Sequence, residues 1–182
     1  MSKKIAVLVG SLRKESFNRK IAKQVVQMAP SSLELEIVEI GQLAHYNEDL
    51  DNENPPVEWT EFRQKIKEAD GYLFVTPEYN RSVSGVLKNA LDVASRPYGQ
   101  NAWSGKPGAI ISSSMGALAG MAANHALRQP MVFLNIYMMQ QPEAYIGSSY
   151  TLFDEQGNLV NDDTKKFLQD WTTAFTEWVN KF

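Results

Sequence analysis

The sequence predicts an α/β domain built on a parallel sheet with helices on both faces. Three observations carry this. Short runs at residues 4–9 (KIAVLV), 71–75 (GYLFV) and 107–114 (PGAIISSS) are rich in apolar residues on both alternating faces. Strands of that kind are buried on two sides, as in a sheet covered by helices. Helical stretches of about 10–15 residues alternate with these runs, the signature of right-handed βαβ units. The loops richest in polar residues follow the first, third and fourth strands, at the carboxyl edge where open α/β sheets bind ligands.

Each element can be justified in turn. The run 4–9 suits a central strand, and Phe17, Ile21, Val25 and Met28 then recur at helical spacing until Pro30 closes the element. Residues 33–40 (LELEIVEI) alternate apolar and acidic, which predicts a strand with one more exposed face. An acidic, asparagine-rich loop, HYNEDLDNENPP, leads to a second stripe at Trp59, Phe62, Ile66 and Ala69. After GYLFV comes TPEYNRS, then a third stripe at Val83, Val86, Leu87, Ala90, Leu91 and Ala94 that stops near Pro97. The run 107–114 is the fourth strand, MGALAG leads into a helix around 119–133, and 134–139 is the fifth strand. FDEQGNLV carries a turn at Gln156, Gly157 and Asn158. Phe167, Trp171, Ala174, Phe175, Trp178 and Phe182 line one face of a terminal helix, as core or as a subunit contact. No repeat, low-complexity tract or linker interrupts the chain, so residues 1–182 are expected to form one domain.

Composition narrows the chemistry. With 43% hydrophobic and 21% charged residues, the chain reads as a soluble globular protein. A formal charge of −3 gives no reason to expect nucleic acid or an anionic membrane as partner. No apolar run has the length of a membrane span, and MSKKIAVLVGS lacks the form of a signal peptide, so a cytoplasmic location is expected. Absence of cysteine excludes disulfides, thiolate nucleophiles and cysteine metal sites, so redox chemistry would have to run through a bound cofactor. His45 and His125 stand alone, so no metal site is expected. No GxSxG surrounds Ser11 or Ser114, which disfavours a hydrolase triad.

The first loop, GSLRKESFN, offers Ser11, Ser16 and Asn18 as side-chain donors and Arg13 as a cationic fork. It runs into a helix whose first N–H groups lack internal partners, and these favour an anion. One arginine with several neutral donors suits a terminal phosphate better than a pyrophosphate. Neither GxxxxGK followed by Ser or Thr nor GxGxxG is present. The competing reading is that Ser16 or Asn18 caps the helix and Arg13 is solvated. In the second loop, Pro77 stiffens the chain, and Tyr79 offers an aromatic face beside the amides of Glu78 to Asn80, as a flat heteroaromatic ring requires. Otherwise this is an ordinary turn with Tyr79 packed on its neighbours. The third loop, SSSMGALAG, supplies hydroxyls at Ser113 and Ser114 and a close backbone approach at Gly116, or simply a helix cap.

VGSLRKESFNRK, VTPEYNRSVSGVLKNALD and SSSMGALAG, in this order and spacing, resemble the NAD(P)H-dependent FMN reductases, in particular the chromate and quinone reductase branch. The resemblance runs from about Lys4 to the terminal helix. It implies a flavodoxin-like three-layer sandwich with a five-stranded parallel sheet in the order 2-1-3-4-5. It also implies non-covalent FMN, NADPH or NADH as co-substrate, and a homodimer or homotetramer. Carried over by position, it puts the FMN phosphate on Ser11, Arg13, Ser16 and Asn18 with Phe17 beside it. Pro77, Glu78, Tyr79, Asn80 and Ser82 would border the isoalloxazine, and Ser113, Ser114 and Gly116 would close its other side. AHYNEDL resembles a family loop near the flavin or the subunit contact, while Glu48, Asp49 and Asp51 individually read as solvated acids.

Two positions depart from the family pattern. Arg81 stands where relatives often carry tyrosine or another uncharged residue, and Ala119-Gly120 replaces a glycine pair. Both bear on the choice of acceptor more than on flavin binding.

The implied activity is hydride transfer from NAD(P)H through FMN to quinones, azo or nitro compounds, metal oxyanions such as chromate, or free flavin. Hydride transfer needs no side-chain acid or base, so no catalytic residue is assigned. Two other readings stay open on the residues alone: an FMN-binding electron carrier that does not oxidise NAD(P)H, and a flavin-free phosphate-binding module. The modest net charge weighs against a carrier, whose docking commonly uses a strong charge patch.

Overall fold

In the computed structural model, which describes residues 2–182, β1 spans Lys3–Val9 and is buried at every position from Ile5 onward. It pairs in parallel with β2 (Leu33–Val38) on one side and β3 (Gly71–Thr76) on the other. β4 (Pro107–Ser113) pairs with β3, giving the order β2-β1-β3-β4-β5. That is the flavodoxin-like order the resemblance implies.

The two-sided apolar pattern of the strands has a direct cause. Ala6 and Leu8 of β1 join Trp59, Phe62, Phe74, Leu87 and Leu127 in a core beneath α2 (Val57–Glu68), α3 (Gly85–Ala94) and α4 (Met121–Phe133). Ile5, Val7 and Val9 point the other way, into a core with Ile21, Val25, Trp171 and Phe175 of α1 (Phe17–Met28) and α5 (Asp162–Val179). A strand whose successive side chains enter different cores has no polar face to show. Trp171 and Phe175 therefore belong to the core, with Phe167 and Trp178 half-buried at its border.

The fifth strand departs from the expected run 134–139. Leu134 still caps α4, and Asn135 turns with a left-handed φ of 58°. Only Tyr137–Met138 pairs with β4, as β5. The chain then leaves the sheet and returns as β6 (Ala144–Ile146), which pairs with the far end of β4, from Ile111 to Ser113. Pro142, without an N–H to donate, lies in the excursion, where its carbonyl accepts from Trp171 Nε1 at 3.0 Å. β2 also stops at Val38, two residues short of its alternating pattern.

Candidate functional site

The loops after β1, β3 and β4 gather at the carboxyl edge of the sheet. Gly10 N–H donates to Val75 O at 2.9 Å, which ties the first loop to β3. A Cβ on Gly10 would stand 2.7 Å from Ser84 Oγ and 2.9 Å from Pro77 Cδ, so only glycine fits where the first and second loops cross. Ser11, Ser16 and Asn18 are buried, while Arg13 is exposed with its guanidinium 5.9 Å from the centre of the Phe17 ring. Phe17 in turn stacks on Phe153 at 6.4 Å. Ser16 caps α1, its Oγ accepting from Arg19 N–H at 3.2 Å. The capping reading is thus correct for Ser16, and its hydroxyl proton remains free to donate.

In the second loop Tyr79 and Ser82 exchange backbone hydrogen bonds at 3.1 and 3.0 Å across Asn80 and Arg81. Both central residues are left-handed, with φ of 52° and 63°, which makes a two-residue hairpin turn of the mirror-image type. Arginine occupies a position normally given to glycine, at a cost of about 1 kcal/mol or more. Tyr79 is 47% exposed, so it does not pack on its neighbours as an ordinary turn residue would. Pro77 is buried and Ser82 exposed.

The side chain of Glu78 is engaged within the protein, which leaves its backbone amide at the border of the second loop. One carboxylate oxygen accepts from Arg81 Nη1 at 3.0 Å and the other from Ala123 N–H at 3.2 Å. It therefore caps α4, whose own N-cap residue, Gly120, has no side chain to do so.

The third loop explains the family's glycine pair. Ala119 and Gly120 have φ of 55° and 76°, and a Cβ on Gly120 would lie 3.1 Å from that of Ser112. Ala119 adopts the left-handed form under strain, held by Ser112 Oγ donating to its carbonyl at 3.0 Å. Ser113 is buried, Ser114 Oγ donates to Gly116 O at 3.2 Å, and Gly116 is exposed. Leu12, Tyr79, Met115, Leu118 and Met121 are each about half exposed, so all three loops contribute apolar side chains to this edge.

Four buried side-chain polar atoms lack a hydrogen-bond partner among the described residues: Asn18 Oδ1, Ser84 Oγ, Ser113 Oγ and Asn124 Nδ2. All four lie at this edge, in the first turn of α1, at the start of α3, at the end of β4 and in the first turn of α4. Buried orphans ordinarily mark a functional site or a missing partner. Ser84 and Asn124 were not among the residues expected from sequence. The signal for Asn124 was an amide beside Ala123, Leu127 and Met131 on the buried stripe of α4. Ser84 lay inside the second motif but is the conventional residue for a helix cap, a bond it does not make.

The AHYNEDL loop is fastened by side chains rather than left to solvent. Asn89 Nδ2 donates to Leu43 O and Ala44 O at 3.1 and 3.0 Å, and its Oδ1 accepts from Tyr46 N–H at 2.8 Å. Asp51 corrects the expectation of a solvated acid: its carboxylate takes both Nη1 and Nη2 of Arg63, at 2.8 and 2.7 Å, with only 3% of its side chain exposed. Glu48 and Asp49 are exposed as expected.

Comparison with known proteins agrees with this geometry. Residues 3–151 match the sequence profile described as NADPH-dependent FMN reductase. A quinone reductase of Pseudomonas putida is 59% identical over 175 residues, covering 96% of this chain and 94% of that one. A 2-hydroxy-1,4-benzoquinone reductase of a Burkholderia species is 49% identical, covering 98% and 97%. Among solved structures, the flavoenzyme NAD(P)H:(acceptor) oxidoreductase FerB from Paracoccus denitrificans superposes with a TM-score of 0.92 at 41% identity, covering 98% of both chains. With three loops converging on one sheet edge and matches of this length and identity, the chain belongs to the NADPH-dependent FMN reductase family, as an oxidoreductase that uses FMN and takes NAD(P)H as co-substrate.

Proposed function

We propose that the protein is an NAD(P)H:quinone reductase whose FMN lies across the three loops. The observation that supports this best is the convergence of the four orphaned polar atoms on that edge. α1 and α3 add two helix starts without an acidic residue in their first turns, so their N-termini stay electropositive toward a phosphate or a reduced ring, whereas the start of α4 already holds the Glu78 carboxylate. Ser11, Arg13, Ser16 and Asn18 would hold the phosphate, with Phe17 alongside. Pro77, Tyr79, Asn80 and Ser82 would border the ring on one side, with Ser113, Ser114 and Gly116 on the other, and Glu78 would fix the distance between the two sides. Bound FMN supplies a two-electron relay, accepting hydride from the nicotinamide and returning it to the acceptor. The half-exposed Leu12, Tyr79, Met115 and Leu118 offer flat apolar acceptors a surface that excludes water. Relatives named for quinones make quinones the leading acceptors, ahead of chromate, azo and nitro compounds or free flavin. Val132 and Phe133, at 82% and 83% exposure on α4, favour a homodimer or homotetramer, in keeping with a cytoplasmic enzyme.

Two measurements test this reading. The protein mixed with FMN, NADPH and a quinone should consume NADPH, followed at the nicotinamide absorbance band. Arg13→Ala should weaken FMN about ten- to hundredfold, the worth of a charge-assisted hydrogen bond of about 1.5–3 kcal/mol. A yellow protein that leaves NADPH untouched would be a carrier instead, and FMN affinity indifferent to Arg13 would put the phosphate elsewhere.

A further inference from the structure

We propose that Arg81 selects acceptors carrying an ionised oxygen conjugated to the reducible carbonyl, as in 2-hydroxyquinones. The inference rests on the quinone-reductase reading and adds to it a reason for an arginine at this position. Arg81 is the one cation in the second and third loops, residues 77–84 and 114–120. It sits in the turn between Tyr79 and Ser82, and its side chain is 68% exposed. Its backbone is held left-handed, where glycine would be unstrained. A residue kept there against backbone preference, in a loop that borders the proposed ring, points to use of its side chain.

The hydrogen bonding around Arg81 leaves that side chain both fixed and available. Nη1 donates to Glu78 Oε1 at 3.0 Å, while Glu78 Oε2 is committed to Ala123 N–H at 3.2 Å. Glu78 itself is only 10% exposed, so the anchor is rigid. A guanidinium carries five donors in a planar fork, and this tether uses one. Surface ion pairs of this spacing contribute little to stability, which leaves the pair poorly explained as a fold element.

An ionised 2-hydroxyquinone shares its charge between the oxygens on C2 and C4 through the conjugated ring, and the C2 oxygen stands next to the C1 carbonyl oxygen, which gives a fork two adjacent acceptors. A guanidinium fork meets that pattern, whereas an uncharged side chain would not. The reaction is unchanged in balance. The quinone gains two electrons and two protons, one arriving as hydride and the other from solvent, and leaves as the quinol while NAD(P)H leaves as NAD(P)+. Arg81 supplies no proton. It orients the acceptor and offsets the negative charge that grows on its oxygens.

The test compares 2-hydroxy-1,4-naphthoquinone, ionised at neutral pH, with the uncharged 2-methoxy-1,4-naphthoquinone in the FMN-loaded enzyme. In Arg81→Gln the ratio of kcat/KM values, hydroxy over methoxy, should fall about tenfold. Arg81→Lys should recover part of it, because a point charge replaces a fork. Rising salt should lower the wild-type ratio, and melting temperatures check that the variants fold. An unchanged ratio would overturn the inference. So would a change confined to the preference for NADPH over NADH, since Arg81 would then be reading the nucleotide's 2′-phosphate. A wild-type enzyme that consumed NADPH with neither quinone would remove the quinone-reductase reading and this inference together, whereas loss of the ratio effect alone removes only the latter.

Discussion

Single positions at the sheet edge show where close approach and backbone strain are concentrated. Gly10→Ala would push a methyl group into Ser84 and Pro77, with contacts of 2.7 and 2.9 Å. Overpacking of this kind costs about 1–3 kcal/mol, and it would separate the first two loops. The expected result is a lower melting temperature together with weaker FMN binding; a variant with the wild-type value of both would show that the crossing is loose. Ala119→Gly should act in the opposite sense. It releases a left-handed alanine at φ 55°, and the gain less the added chain entropy is about 0.5–1 kcal/mol by chemical denaturation. Sequence alone revealed the donors of GSLRKESFN because small hydroxyl and amide residues after an apolar strand are conspicuous. It could not reveal the orphaned state of Ser84 and Asn124, which depends on what does not lie next to them in three dimensions.

The elements are joined by a few polar clamps whose contributions can be separated. Arg63 is 9% exposed and Asp51 3%, so Asp51→Asn would leave a nearly buried guanidinium uncompensated. That should cost about 2–3 kcal/mol, somewhat less than the loss of a fully buried partner because the asparagine oxygen still accepts. An equilibrium denaturation midpoint close to wild type would show that water replaces the carboxylate. A second clamp joins the start of α1 to the end of β2, where Arg19 Nη1 and Nη2 donate to Glu39 at 2.7 and 2.6 Å. These hydrogen bonds, opposed by burial and aided by the charge itself, hold the Glu39 carboxyl below its ordinary range. A carboxyl with a lowered folded-state pKa contributes fully above its unfolded value and loses that contribution as pH falls through the folded one. The pair is half exposed, so the effect is small. Glu39→Gln should melt slightly below wild type at neutral pH, and the gap should close in acid. Helix positions were readable from stripes such as Ile21 and Val25 or Trp171 and Phe175, because burial repeats with the helical period. The split of the fifth strand was not, since Tyr137–Met138 and Ala144–Ile146 are too short to show alternation and are defined by their pairing with β4.

At the scale of the molecule, one sheet carries two cores, and the proposed site is the seam where the loops leaving three of its strands meet. A ligand bound only in the folded state stabilises by mass action, about 2.7 kcal/mol at a hundred times its dissociation constant. For a chain of this size that is a rise of roughly 5–10 °C in the melting temperature on adding FMN. Riboflavin, which lacks the phosphate, should give much less; equal shifts would deny the first loop its role. The overall topology was legible because the strands are apolar on both faces, and that pattern permits little besides a sheet covered on two sides. The interlock between the second and third loops was not, because it hangs on one carboxylate reaching 45 positions along the chain. Glu78 makes the hairpin of residues 79–82 and the first turn of α4 a single jaw, hinged on a carboxylate. Prying the hairpin outward would also strip the helix of the carboxylate that caps it, so the two loops are expected to shift together.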